Sequence, residues 1–227
     1  MKKIGMIVAI EREMASVLNR YGTAAEVKTI SGFTVHTYEN DGYTLYVLNC
    51  GAGEIWAAAG VQFLITQFQV EMIVNFGVVG GLTPEMAQTH TCIVKKVVQH
   101  DFDLSPIDPV VRGEHEEFGG LYIPVSDDLV TRALEIEPSL KPVICASGDQ
   151  FIDSAEEKQA LHETYDADIC EMEAAAIAMV CHRNGIPCLL IKTVSDSLMG
   201  GAEEFTTGVR KTAEQCFLIA DRIIKEL

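Results

Sequence analysis

The chain is predicted to form one α/β domain over residues 1–227, a three-layer α/β/α arrangement around a central, mixed and twisted β-sheet. Three observations carry this expectation. Apolar runs of strand length alternate with segments of helical period along the whole sequence. An early pair of strands joined by a tight turn interrupts that alternation, which makes the sheet mixed and not purely parallel. No repeat, low-complexity linker or break in composition divides the 227 residues, and a hydrophobic content of 48% suits one large core.

The elements follow in order. Ile4 to Ala9 is a short apolar run with the character of a buried strand, and Met14, Val17 and Leu18 then fall on one face of a helix starting near Glu11. Glu13 therefore sits where a strand's carboxyl end meets a helix, the place where ligands gather in open α/β sheets. Phe33–Tyr38 and Tyr43–Asn49 read as two strands turning through Asn40-Asp41-Gly42. The loop Gly51-Ala52-Gly53 leads into a helix over Ile55–Phe68, so backbone N–H groups can approach a ligand there. It lacks both the full dinucleotide-binding glycine pattern and a phosphate-loop lysine.

Met72–Phe76 is a strand running into the glycine-flanked crossing Gly77 to Leu82, and Thr91–Val98 is another strand. Residues 101–120, rich in Pro, Asp and Gly, form a long loop at the surface or at a subunit contact. A helix from Ser126 to Leu134, a strand over Pro142–Ala146 and a polar, surface-like helix from Glu156 to Tyr165 come next. Cys170-Glu171-Met172-Glu173 opens an apolar, Ala-rich helix that stops near Asn184-Gly185. The strand Cys188–Val194 runs into Ser195-Asp196-Ser197, and Gly200-Gly201 with Phe205 precedes a terminal amphipathic helix over about Thr206–Glu226.

Charge and composition exclude several classes of function. A net charge of −16 opposes binding to a nucleic-acid backbone and favours a neutral or cationic small substrate. No apolar run has the length to cross a bilayer, and the N-terminal segment is too short and too charged for a signal peptide, so the expected location is the cytoplasm. The seven cysteines are scattered through apolar runs without a Cys-x-x-Cys, which points to reduced thiols packed as small hydrophobes. Neither the cysteines nor the six histidines cluster at metal-ligand spacing.

The chemistry-bearing feature is Glu171-Met172-Glu173 at the mouth of a buried helix. One carboxylate there complements the helix dipole; two call for a cap, a partner or a ligand. Asp196 ends a strand beside Ser195 and reads either as the N-cap of a following helix or as a site carboxylate.

The order and spacing of Glu11-Arg12-Glu13, Asn75-Phe76-Gly77-Val78-Val79-Gly80-Gly81-Leu82, Ser147-Gly148-Asp149-Gln150-Phe151-Ile152, Glu171-Met172-Glu173-Ala174 and Val194-Ser195-Asp196 carry a resemblance over nearly the whole chain. The sequence resembles the nucleoside phosphorylase/nucleosidase superfamily, and within it the nucleosidases of 5′-methylthioadenosine and S-adenosylhomocysteine. The resemblance implies hydrolysis of the bond between adenine and ribose through an oxocarbenium-like transition state. It implies Asp196 as the acid protonating adenine N7, Glu13 as the base acting on water, and Glu173 beside Met172 as acceptor for the ribose hydroxyls. Phe151 would stack on adenine, the Ile152 backbone would read its edge, and Phe205 would cover the sugar or its tail. Val79, Gly80 and Ser195 would line the same pocket, with Lys192 supporting the water site. No metal or organic cofactor is implied, and family members are commonly homodimers in which a loop such as Phe102–Pro109 closes the partner's tail pocket.

The chain also departs from that pattern. Val78-Val79 stands where the nucleosidases usually carry Ser-Ala, Lys192 where they carry arginine, Ala52 where a larger apolar residue is usual, and Ile10 where methionine is common. Valine has no hydroxyl for the attacking water, and lysine lacks arginine's planar fork. Three other readings therefore stand beside the nucleosidase: a hydrolase of another adenine ribonucleoside such as aminodeoxyfutalosine, a purine nucleoside phosphorylase, and a nucleoside-binding relative without catalysis. Phosphorolysis is the weakest in the loops themselves, where Arg12 is the only arginine and Glu13 would repel phosphate.

Overall fold

The computed structural model describes residues 1–227. In chain order the elements are β1 (Lys2–Val8), α1 (Glu11–Tyr21), β2 (Glu26–Ile30), β3 (Phe33–Asn40), β4 (Tyr43–Asn49) and α2 (Glu54–Phe68). They continue as β5 (Met72–Gly81), β6 (Thr91–Gln99), β7 (Ile123–Pro124), α3 (Asp127–Ile136), β8 (Lys141–Ser147) and α4 (Ala155–Tyr165). The last are β9 (Ile169–Glu171), α5 (Ala174–Asn184), β10 (Cys188–Asp196) and α6 (Ala202–Glu226).

The expected mixed sheet with helices on both sides is present. β1 lies parallel between β4 and β5, and its alternating side chains face different layers. Gly5 and Ile7 point at α2, where a Cβ on Gly5 would lie 3.1 Å from Leu64 and one on Gly60 would lie 3.4 Å from Ile7. The opposite side of the sheet is covered by α6, whose Phe217 ring lies 5.0 Å from that of Phe76 on β5. Both rings are buried, so each contributes about 1.5–3 kcal/mol of transfer energy, with a further increment of about 0.5–1.5 kcal/mol for the pair. All seven cysteines are free and buried, in line with the reading as small core hydrophobes.

One feature of the sheet was not legible in the sequence. β10 pairs with β5 in parallel and with β6 antiparallel, while β6, β8, β9 and β5 pair in succession. These five strands therefore close a ring, and β1, β4, β3 and β2 extend from β5 as an open wing. Closure buries β10 along its full length, the apolar run Cys188–Ile191 together with Lys192, Thr193, Ser195 and Asp196.

Several boundaries differ from the sequence expectation. β2 is an additional strand whose side chains are mostly exposed, so it carries no alternating apolar pattern to announce it. β5 continues through the glycine-flanked crossing to Gly81 as one ten-residue strand. Cys170 and Glu171 belong to strand β9, not to the Ala-rich helix, which begins at Ala174 with Glu173 as its N-cap. Phe205 lies inside the first turns of α6, which starts at Ala202 and not at Thr206. The helix read as surface-like, α4, turns the Lys158 side chain completely inward. The long loop is irregular as expected, with a single 3-10 turn over Glu116–Phe118 and exposed apolar side chains at Leu104, Ile107 and Val111.

Candidate active site

The carboxyl ends of β1, β5 and β10 converge with the loop after β8 and the β9–α5 corner on one cavity of about 170 Å³. Its wall includes Glu13, Val79, Gly80, Phe151, Ile152, Met172, Glu173, Ser195, Asp196 and Phe205, each of which the sequence had singled out. Ile10, Ala52, Val78, Gln150, Cys170 and Glu171 complete most of the remaining wall. A larger groove of about 650 Å³ runs between α1 and α6, lined by Arg12, Arg20 and Arg210 among others, and contains none of these carboxylates.

Glu13 reaches the cavity because α1 begins directly after β1. Its Oε2 accepts from the Ile10 N–H at 3.2 Å, closing the first turn, and its Oε1 accepts from the Val78 N–H at 2.9 Å on β5. Burial raises its pKa, opposed by the Val78 N–H and by Lys192. The approach depends on Gly77, where a Cβ would stand 2.8 Å from Glu13 Oε1.

Glu171 and Glu173 have different tasks. Glu171 accepts from the backbone N–H groups of Glu173 at 3.1 Å and Ala174 at 3.0 Å, so it caps the first turn of α5. Burial works against its charge, but the Lys192 ammonium 2.8 Å from its Oε2, with the Ala174 N–H, holds its carboxyl below the usual range. Glu173 Oε1 accepts the Gly53 N–H at 2.7 Å and has no cationic partner in contact. Burial first, and then the charge of Glu171, push the Glu173 carboxyl up to about 8.

Asp196 ends β10, and the next helix begins only at Ala202, so it is not an N-cap. The β10–β5 register shifts between Val194 and Asp196, leaving Ser195 as the extra residue of a bulge opposite Val79 and Gly80. This turn brings both side chains to the cavity. Ser195 Oγ lies 2.7 Å from Asp196 Oδ1 and 3.1 Å from the Val79 carbonyl. Its single proton serves one acceptor at a time: it goes to Asp196 when that carboxyl is ionised, and to Val79 O when Asp196 donates to Ser195. Burial raises the Asp196 pKa, opposed by hydrogen bonds from Lys158 and Ser195.

The aromatic walls meet at the mouth. The Phe151 and Phe205 rings lie 5.4 Å apart at 71°, an edge-to-face pair, and the Phe151 side chain is well exposed. The Ile152 backbone N–H and C=O engage no other group of the chain, so they are free to meet a ligand's edge.

Two site residues need correction or addition. Lys192 does not line the cavity; its buried ammonium is bound to Glu171. Lys158 escaped the sequence reading because a lysine among polar neighbours on an amphipathic helix looks solvated. Its Nζ lies 2.6 Å from Asp196 Oδ2.

Comparison with known proteins agrees with this geometry. The sequence profile of the phosphorylase superfamily matches residues 3–225. The chain is 33% identical over 209 residues to a 5′-methylthioadenosine/S-adenosylhomocysteine nucleosidase of Halalkalibacterium halodurans, covering 89% of this chain and 88% of that protein. It is 28% identical over 231 residues to the aminodeoxyfutalosine nucleosidase of Helicobacter pylori, covering 100% and 99%. The solved 5′-methylthioadenosine/S-adenosylhomocysteine nucleosidase of Helicobacter pylori with butyl-thio-DADMe-Immucillin-A superimposes with a TM-score of 0.94 at 27% identity, covering 100% of this chain and 99% of that one. Profile, relatives and superposition together place this chain in the phosphorylase superfamily, among its 5′-methylthioadenosine/S-adenosylhomocysteine nucleosidases.

Proposed function

We propose that this protein hydrolyses the N-glycosidic bond of adenine ribonucleosides, with 5′-methylthioadenosine and S-adenosylhomocysteine as substrates. The observation that carries the reading is three buried carboxyls with raised pKa on one cavity, Glu13, Glu173 and Asp196, flanked by two aromatic rings. Asp196 in its protonated form gives its proton to adenine N7 as the C1′–N9 bond breaks and its electron pair moves onto the base. Glu13 takes a proton from the water that forms the new bond to C1′. Its carboxylate is kept in place by the Val78 and Ile10 N–H groups, and burial makes it a stronger base than an exposed glutamate. Glu173 accepts the ribose hydroxyls beside Met172, and Phe151 with Phe205 covers base and sugar. Val78 replaces a hydroxyl near the water, leaving Glu13 and backbone groups to orient it.

Water is the attacking group because the cavity wall carries no lysine or arginine to hold phosphate. The likeness to the Helicobacter pylori aminodeoxyfutalosine nucleosidase makes aminodeoxyfutalosine the third substrate to assay, since the same carboxylates would act on its adenine–ribose bond. The setting proposed is cytoplasmic, in the salvage of methionine. A homodimer is proposed from the exposed apolar side chains of Ile55 and Trp56 on α2 and of Leu104, Ile107 and Val111 on the long loop.

The test is adenine release from the three nucleosides with and without phosphate. Release independent of phosphate is expected. Acceleration by phosphate would overturn the hydrolytic reading, and tight binding without release would make the protein a nucleoside-binding relative.

A further inference from the structure

Lys158 is the most deeply buried cation of the chain, with a side chain 0% exposed. Its ammonium has three protons and three acceptors: Asp196 Oδ2 at 2.6 Å, the Ser197 carbonyl at 2.8 Å and the Gly200 carbonyl at 2.8 Å. A helix of polar composition thus sends one charged side chain through the core to the back of the residue placed as the acid. A buried charge is retained at a desolvation cost, so its location calls for a reason.

We propose that Lys158 is a positioning residue that sets the acid strength of Asp196, by fixing an ammonium where the carboxylate appears when the proton leaves for adenine. The inference rests on the assignment of Asp196 as the acid. Lys158 does not face the cavity, and Asp196 stands between it and the base. The proton moves from the Asp196 carboxyl to N7, the glycosidic electron pair moves onto adenine, and Asp196 is left as a carboxylate against a charge already in place. With both side chains buried, that attraction acts at low dielectric and requires no reorganisation. The other groups around Asp196 come from each neighbouring element. Ser195 on β10 bonds its Oδ1, Cys170 on β9 is a neutral thiol, and Gly80 on β5 leaves room for its Oδ2. Glu204 on α6, bound to the Ser197 N–H at 2.7 Å, raises its pKa. Lys158 is the one cation in this shell, and it offsets burial and Glu204. The same ammonium ties down Ser197 and Gly200, which offers a purely structural explanation of its burial that the test must separate.

The experiment compares the unaltered enzyme with Lys158→Met, which keeps the volume of the side chain and removes its charge. Two readouts are needed: the pH profile of adenine release, and direct titration of Asp196 by carbon-13 NMR of aspartate-labelled protein. The expected result is an upward move of Asp196 titration and of the alkaline limb of kcat by about one pH unit or more, with plateau kcat reduced about 10-fold or more and KM changed less than about 3-fold. Lys158→Ala supplied with ethylammonium ion is expected to recover part of kcat and to return the limb toward its original pH. Equal losses in kcat and KM with an unmoved limb and unmoved Asp196 titration would overturn the proposal and leave Lys158 as a loop anchor. If Lys158→Met does not fold, the ethylammonium experiment decides, and absence of any shift in the limb on rescue overturns it. A shifted titration together with full adenine release by Asp196→Asn would instead show that the assignment of the acid had failed.

Discussion

Lys192 Nζ lies 2.8 Å from Glu171 Oε2, with both side chains buried. This contact divides the Glu-Met-Glu motif. It neutralises the first glutamate, which caps α5, and leaves the second, Glu173, as the carboxyl free to meet a ligand.

Removing the ammonium by Lys192→Met leaves Glu171 buried and unpaired. The expected cost is about 3–5 kcal/mol of stability, read from urea denaturation. Adding Glu171→Gln to that variant should recover part of the loss, because a neutral amide has a smaller desolvation cost. Equal stability of the single variant and the unaltered protein would mean that the ion pair contributes nothing.

Asp196→Asn and Glu13→Gln are each expected to lower kcat for adenine release by about 10²–10⁴-fold. Calorimetric binding of 5′-methylthioadenosine should persist in both, since the ring contacts and Glu173 remain. Loss of binding in parallel with loss of turnover would count against acid and base roles.

Stability should fall as pH rises in the ligand-free protein. Glu173 titrates near 8 in the fold against an ordinary value of 4.5. A carboxyl whose folded pKa is raised contributes stability fully below the unfolded value and loses it as pH climbs through the folded value. The window for Glu173 is therefore about pH 4.5 to 8, and its slope reaches at most about 1.4 kcal/mol per pH unit. Glu13 and Asp196 are raised as well and act with the same sign. The melting temperature is expected to be higher at pH 5.5 than at pH 8.5, and Glu173→Gln should flatten the slope. An unchanged slope in that variant would remove Glu173 from the account.

Gly77→Ala tests the approach of Glu13 to β5. The added methyl would stand 2.8 Å from Glu13 Oε1, so the carboxylate must leave the Val78 N–H or the strand must shift. A stability loss of about 1–3 kcal/mol is expected. Turnover should fall further than binding, which steady-state kinetics beside calorimetry will show.

What could be read in the residues differs from element to element. Ile4–Ala9, Met72–Phe76 and Cys188–Val194 announced strands because each is buried on both faces and so is mostly apolar, broken only at Asn75, Lys192 and Thr193. β2 went unread because its side chains are mostly solvent-facing, so no alternating apolar pattern marks it. The site residues Phe151, Ile152, Glu173, Ser195 and Asp196 lie at strand ends, loops or a helix cap, and Glu13 and Phe205 in the first turns of helices; all were legible through the order and spacing of motifs that carry the family resemblance. The pairing of Lys192 with Glu171 and of Lys158 with Asp196 went unread for one reason: a lysine's surroundings are set by elements distant in sequence.

The sequence by itself determined the α/β class, the apolar strands and the excess of acidic over basic residues, because hydrophobic period and charge are properties of the chain alone. Only the tertiary structure decided the closure of β10 onto both β5 and β6, the division of labour between Glu171 and Glu173, and the pairing of Lys158 with Asp196. Each of these depends on which side chains meet across tens of residues. Burial and charge partners at those meetings, not residue type, fix which carboxyl is ionised and which holds its proton.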